Sequence, residues 1–242
     1  HHAEGVFKRQ NESYRSYFKS LSPAFQADIV RVDCIHRDGG LWIDSDTLVM
    51  SPLTELQSIL QSTDGFLISE RGKKGTKLCN GVFGSKAGTP LMTAWKKIID
   101  GFIKRQEQPH HGDLGFRCLS ELLHTNAKLF SNYVIFDGDQ TMYPVAWFES
   151  QDIYLSGITT PTSTIEREFQ PLIILLSSVY NNYKGLYTKQ GKKCVLDLLI
   201  QTSLNNLIND SNLNVNHSIE DMKALEYDRE RLIRMAHTFI KS

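Results

Sequence analysis

The block from Pro23 to Leu53, PAFQADIVRVDCIHRDGGLWIDSDTLVMSPL, constrains this chain more than any other. Ser22 followed by Pro23 predicts a helix start, because a Ser oxygen caps free N–H groups and Pro suits the first helical position. Phe25, Ile29, Val32 and Ile35 recur at helical spacing and form the expected buried face. Gly39 and Gly40 end the helix, since Gly takes the left-handed conformation without a Cβ clash. Leu41, Trp42 and Ile43 then read as a short apolar strand, buried on both faces. It runs into Asp44-Ser45-Asp46, two carboxylates at a strand's C-terminal end, where open α/β sheets bind ligands.

The residue order is specific. Ala27-Asp28-Ile29-Val30-Arg31 is followed by Gly39-Gly40-Leu41-Trp42-Ile43-Asp44-Ser45-Asp46, with Asp28 sixteen positions ahead of Asp44. A bare Asp-x-Asp is weak, but the whole block resembles the sugar-binding region, with its DXD motif, of the retaining GT-A glycosyltransferases. That group includes capsule and lipo-oligosaccharide enzymes, α-galactosyl- and α-mannosyltransferases, and glycosylating toxins. The clear resemblance spans about residues 22 to 53, with thinner echoes to about residue 150. It implies an α/β, GT-A-like (Rossmann-like) domain with a helical C-terminal part. The implied activity is metal-dependent retaining transfer of a hexose from a nucleotide sugar, most simply a UDP-sugar, to a glycan acceptor. A protein side chain is the alternative acceptor.

At 242 residues the chain is long enough for an α/β domain with a sizeable core. Lys plus Arg and Asp plus Glu are 27 each, so the formal net charge is zero, which argues against a nucleic-acid partner. No apolar run has the length of a membrane span, and no signal peptide is expected at the start. Cys34, Cys79, Cys118 and Cys194 lack CxxC spacing and indicate neither a zinc site nor a disulfide framework. Glycosylation acceptor patterns at Asn11, Asn209 and Asn216 are short enough to arise by chance in an Asn-rich chain. A reduced, cytoplasmic setting follows, or one peripheral to the membrane where glycan is assembled.

Taken in order, residues 5 to 21 predict a short helix carrying Phe7, Tyr14, Tyr17, Phe18 and Leu21. The family's apolar strand for the nucleotide base has no counterpart ahead of the signature. The chain is then a fragment, is internally shortened, or builds its nucleotide pocket differently. A helix over 55–61, strands over 66–69 and 78–84, and a basic loop over 71–77 follow. Thr89-Pro90 starts a helix with Leu91, Trp95, Ile98, Ile99 and Phe102 on one face. A second helix follows Gly112-Asp113, and Tyr133 to Phe136 reads as a strand. Tyr143 to Trp147 is similar to a Tyr-Pro-x-x-Trp-like segment of the family, and the apolar run over 172–178 lacks the His that relatives place there. Residues 193–208 and 218–241 read as helices. The expected division is a catalytic domain over 1–190 and packed C-terminal helices over 191–242.

By the resemblance, Asp46 ligates Mn²⁺ or Mg²⁺ while Asp44 reaches the ribose and the metal's waters. Both ions prefer oxygen ligands and keep substrate phosphates in their shell, so one or two carboxylates suffice. The bland alternative is a surface turn with solvated acids. Asp28 and Arg31, one helical turn apart, hold donor-sugar hydroxyls in the family, or else form a surface i,i+3 ion pair. Asn80 is a further donor contact or a turn residue. Asp113 is either a catalytic carboxylate facing the sugar or a helix N-cap. His110 and His111 fit a wet loop better than a metal site.

Two rival classes remain. Val134-Ile135-Phe136-Asp137-Gly138-Asp139-Gln140-Thr141 fits the strand-DxDxT motif of HAD-type phosphatases, with Asp137 as nucleophile and Asp139 beside it, although no convincing Lys and acidic pair follow. On the transferase reading the same stretch is a turn. The other rival is a truncated or degenerate GT-A domain acting as a binding module, which the four intact residues Asp28, Arg31, Asp44 and Asp46 argue against.

Overall fold

The computed structural model describes residues 12–50, 53–70, 77–143 and 173–176. The chain divides into two compact units: His1–Ser45 with Leu53–Met142, and Asp46–Pro52 with Tyr143–Ser242.

The first unit is built on a four-stranded mixed sheet in the order β1-β4-β3-β5, formed by β1 (Gly40–Ile43), β4 (Leu78–Ser85), β3 (Gly65–Ser69) and β5 (Tyr133–Phe136). The β1/β4 and β3/β4 pairs are antiparallel and β3/β5 is parallel. The expectation that β1 is buried on both faces is not met. It lies at an end of the described sheet, and Leu41, Trp42 and Ile43 stay half-exposed. Strands β3 and β4, inside the sheet, are almost wholly buried. The β3/β4 register shifts between Phe66 and Ile68, so β4 bulges over the stretch holding Asn80 and Gly81.

Helices pack on this sheet. They are α1 (Glu12–Ser20), α2 (Pro23–Asp38), α3 (Thr54–Ser62), α4 (Pro90–Arg105), α5 (Phe116–Thr125) and the one-turn α6 (Gly138–Thr141). Helix α2 buries Ile29, Val32 and Ile35 as its spacing predicts, and Asp28 and Arg31 go in with them. Pro23 opens it, but the Ser22 side chain makes no cap hydrogen bond. Nearby, Gln26 Nε2 donates to the Phe18 and Leu21 carbonyls at 3.0 Å each, which knits α1 to α2. At the other end Gly39 adopts φ 69°, and a Cβ there would meet Ala87 N at 2.8 Å. Only glycine fits that turn.

Thr89 caps α4 by accepting from Met92 N–H at 3.3 Å. Its hydroxyl also lies 2.6 Å from Tyr133 OH, which is 2.6 Å from Ser85 Oγ, so three buried hydroxyls tie the ends of β4, β5 and α4 together. Trp95 is fully buried against Phe83, ring centroids 5.3 Å apart. Its indole N–H donates to the Leu114 carbonyl at 2.7 Å, satisfying the one polar atom that burial would otherwise strand.

In the second unit β2 (Thr47–Val49) pairs antiparallel with β6 (Ile173–Leu175), and Leu176 N–H donates to the Asp46 carbonyl at 2.9 Å. No helix among the described residues is long and apolar enough to cross a membrane. Phe7, the loop over 71–76, Pro144 to Trp147 and the helices expected within 191–242 lie outside the described residues.

Candidate functional site

Four of the residues singled out from the sequence meet in the first unit. Asp28 and Arg31 come from the buried face of α2, Asp44 from the residue after β1, and Asn80 from the bulge of β4. Arg31 is the hub. Its Nη2 lies 3.4 Å from Asp28 Oδ1 and 3.2 Å from Asp44 Oδ1, and its Nη1 donates to the Asn80 carbonyl. Its Nε reaches back to the Ala27 carbonyl at 3.5 Å. A planar guanidinium has five donors in a fixed fork, which is why one side chain can serve these partners at once.

The bulge makes the Asn80 contact available. A residue in register offers its carbonyl to the neighbouring strand, whereas a bulged one has it free. The Asn80 carbonyl goes to Arg31, and the next one, Gly81, accepts from Asp44 N–H at 2.8 Å. The Asn80 side chain turns the same way, its Nδ2 donating to Asp28 Oδ1 at 2.7 Å. The Asp28–Arg31 pair is therefore no surface ion pair: the two residues are 8 % and 5 % exposed. Burial pushes the Asp28 carboxyl up from the ordinary 3.8 to about 6; Arg31 opposes this, Asp44 adds to it, and Asn80 and His111 oppose it.

Two residues of this neighbourhood carry no role in the sequence reading. Trp42 Nε1–H donates to Asp44 Oδ1 at 2.8 Å, and Arg31 Cζ sits 5.2 Å from the Trp42 ring centroid. The available signal is its position two residues before Asp44, because alternate residues of an extended segment share a face. Gly115 is the other. A Cβ there would lie 2.2 Å from Asn80 Nδ2 and 2.8 Å from its Cγ, so the absent side chain is what makes room for Asn80. Nothing in the spacing of His110-His111-Gly112-Asp113-Leu114-Gly115 points to Asn80 in advance.

Asp113 does not cap a helix. Helix α5 starts at Phe116, with Gly115 in the cap position. Asp113 lies in the preceding turn, its Oδ2 accepting from His110 N–H at 2.7 Å and its Oδ1 3.6 Å from Arg117 Nη1. Asp137 follows β5 and caps α6, with Oδ1 accepting from Asp139 N–H at 3.0 Å, so its carboxylate has a structural use in a short helix rather than in a plain turn.

Asp46 opens the second unit. Among the described residues no group of three or more His, Cys, Asp or Glu could hold a metal ion. A hard divalent ion that keeps phosphate oxygens and water in its shell does not need such a group. The donor set fits that kind of ion unevenly. Asp44 is already paired with the Arg31 guanidinium, whose positive charge disfavours a second cation on the same oxygen.

A family model described as capsular polysaccharide synthesis protein matches residues 13–140, a span that contains all four clustered residues and Asp46. No curated protein and no solved structure matches the chain.

Proposed function

Since the chain belongs to the capsular polysaccharide synthesis protein family, we propose that it is a metal-dependent, retaining glycosyltransferase of GT-A type. It passes a hexose from a nucleotide sugar, most simply a UDP-sugar, to a growing glycan. The observation that carries this reading is the convergence of Asp28, Arg31, Asp44 and Asn80 on one another from three separate elements. Buried charge is costly unless paired, and polar side chains gathered from separate elements with a shifted carboxyl among them support reading the cluster as a ligand site.

Each residue has a task within this reading. Asp28 accepts from donor-sugar hydroxyls and Arg31 donates to them, which suits groups that are both donor and acceptor. Asn80 holds Asp28 in place through its amide and adds a sugar contact through its oxygen. In this reading Asp44 receives the ribose and the metal's waters, and Asp46 ligates Mn²⁺ or Mg²⁺. When bound, such an ion offsets the negative charge that grows on the diphosphate leaving group. Asp113 is given no part in this chemistry, because its carboxylate holds its own turn.

Calorimetric titration of UDP into the purified chain, with Mn²⁺ and then with EDTA, tests the reading beside Asp46→Ala. Binding that needs both the metal and Asp46, followed by transfer from one member of a UDP-sugar panel, is the expected result. Metal-dependent binding without transfer from any donor reduces the protein to a binding module. Transfer by Asp46→Ala at the wild-type rate rules the reading out.

A further inference from the structure

We infer that Trp42 is a positioning residue, which sets Asp44 and Arg31 for the donor through its indole N–H and its ring face respectively. The inference rests on the donor-site reading above. The Asp44 carboxylate follows directly after β1, where a side chain on an exposed turn has several rotamers open to it. Here one oxygen, Oδ1, receives both the Trp42 N–H at 2.8 Å and Arg31 Nη2 at 3.2 Å. Two donors on one oxygen select a single rotamer, and Oδ2 is the atom of Asp44 available to a ligand among the described residues. The same indole lies under the guanidinium, Cζ 5.2 Å from the ring centroid, so Arg31 is held between an aromatic face and the acids it serves.

The geometry is particular to Trp. Phe presents a ring face without a donor, and an aliphatic residue presents neither. The packing role is modest, because Trp42 is half-buried on a strand at the end of the sheet and lies at the margin of the core. Trp95 is the contrasting case, fully buried and bonded to the Leu114 carbonyl.

The test compares Trp42→Phe, Trp42→Leu and Trp95→Phe in the full chain. UDP affinity is measured by calorimetry with Mn²⁺, and stability by the urea midpoint. Trp42→Phe should bind UDP about tenfold more weakly with a midpoint like the wild type's, since a hydrogen bond to a charged group is lost. Trp42→Leu should lose more, with sugar transfer falling beyond the drop in UDP affinity because Arg31 is freed as well. Trp95→Phe should show the reverse pattern, a lower midpoint with UDP affinity intact. If both Trp42 variants bind UDP as the wild type does, or weaken only in step with their midpoints, the inference is overturned while the functional reading stands. If the wild type shows no metal-dependent UDP binding, both are overturned.

Discussion

Arg31 donates its guanidinium to the backbone carbonyl of Asn80, a residue 49 positions further along the chain. The contact joins the buried face of α2 to the bulge of β4, and the Asn80 amide returns the connection by donating to Asp28. Helix and sheet are thus joined at this point by the same groups that the donor-site reading uses. Binding and folding share residues here, and measurements must separate the two.

Arg31→Lys offers one such separation. A Lys ammonium has three donors on a flexible stem and cannot reproduce the fork that reaches Asp28, Asp44 and the Asn80 carbonyl together. Sugar transfer should fall by more than tenfold, roughly the effect of a lost charge-assisted contact, while UDP affinity changes much less. Kinetics with a UDP-sugar beside calorimetry with UDP checks this. Equal losses in both would make Arg31 a purely structural residue.

Asp28 predicts a pH dependence of stability with a definite sign. Its carboxyl titrates at about 6 in the folded chain against an ordinary 3.8. Between those values the folded state binds more protons than the unfolded one, so this group makes stability fall as pH rises through that window. The drop amounts to at most about 3 kcal/mol by pH 7. Asp28→Asn cannot ionise and should flatten that part of the curve. Urea midpoints for both proteins from pH 4 to pH 7 decide it, and parallel curves would show that Asp28 does not titrate there.

Gly115→Ala should dislodge Asn80. The added methyl would sit 2.2 Å from its Nδ2, so the amide that donates to Asp28 has to shift. We expect a loss of about 1–3 kcal/mol, the cost of an unsatisfied buried polar group. In an Asn80→Ala background the same substitution should cost clearly less, because the clashing atoms are gone. Additive losses would place the strain elsewhere.

Thr89→Val removes a helix cap and one member of the Ser85–Thr89–Tyr133 hydroxyl cluster. The expected loss is about 1–3 kcal/mol, in the range of a lost cap together with a weakened buried network. UDP binding should be unaffected, since none of the three hydroxyls bonds to Asp28, Arg31, Asp44 or Asn80. Thermal unfolding and calorimetry together report both halves of that prediction.

Local rules carried most of the secondary structure. The spacing of Ile29, Val32 and Ile35 placed α2, Gly39 ended it, and Thr89-Pro90 started α4, because each of these depends on neighbours within a few residues. The misses lie at two helix starts. Ser22 stands at the N-cap position of α2, but its side chain makes no cap hydrogen bond. Asp113 was displaced from the head of α5 by a turn that closes on its own His110 N–H.

The sequence by itself determined which residue types the signature carries and how far apart, since the order Asp28, Arg31, Asp44, Asp46 is a linear pattern. What only the tertiary structure decided is who meets whom. Strand β4 pairs with both β1 and β3, its register with β3 shifts over the stretch holding Asn80, and the Asn80 carbonyl goes to Arg31. Packing also sets a glycine from the turn before α5 against the Asn80 amide, and buries Asp28 and Arg31 where spacing alone allows a solvated pair. The physical reason is that hydrogen-bond register and burial are properties of packed neighbours, and those neighbours lie tens of residues apart along the chain.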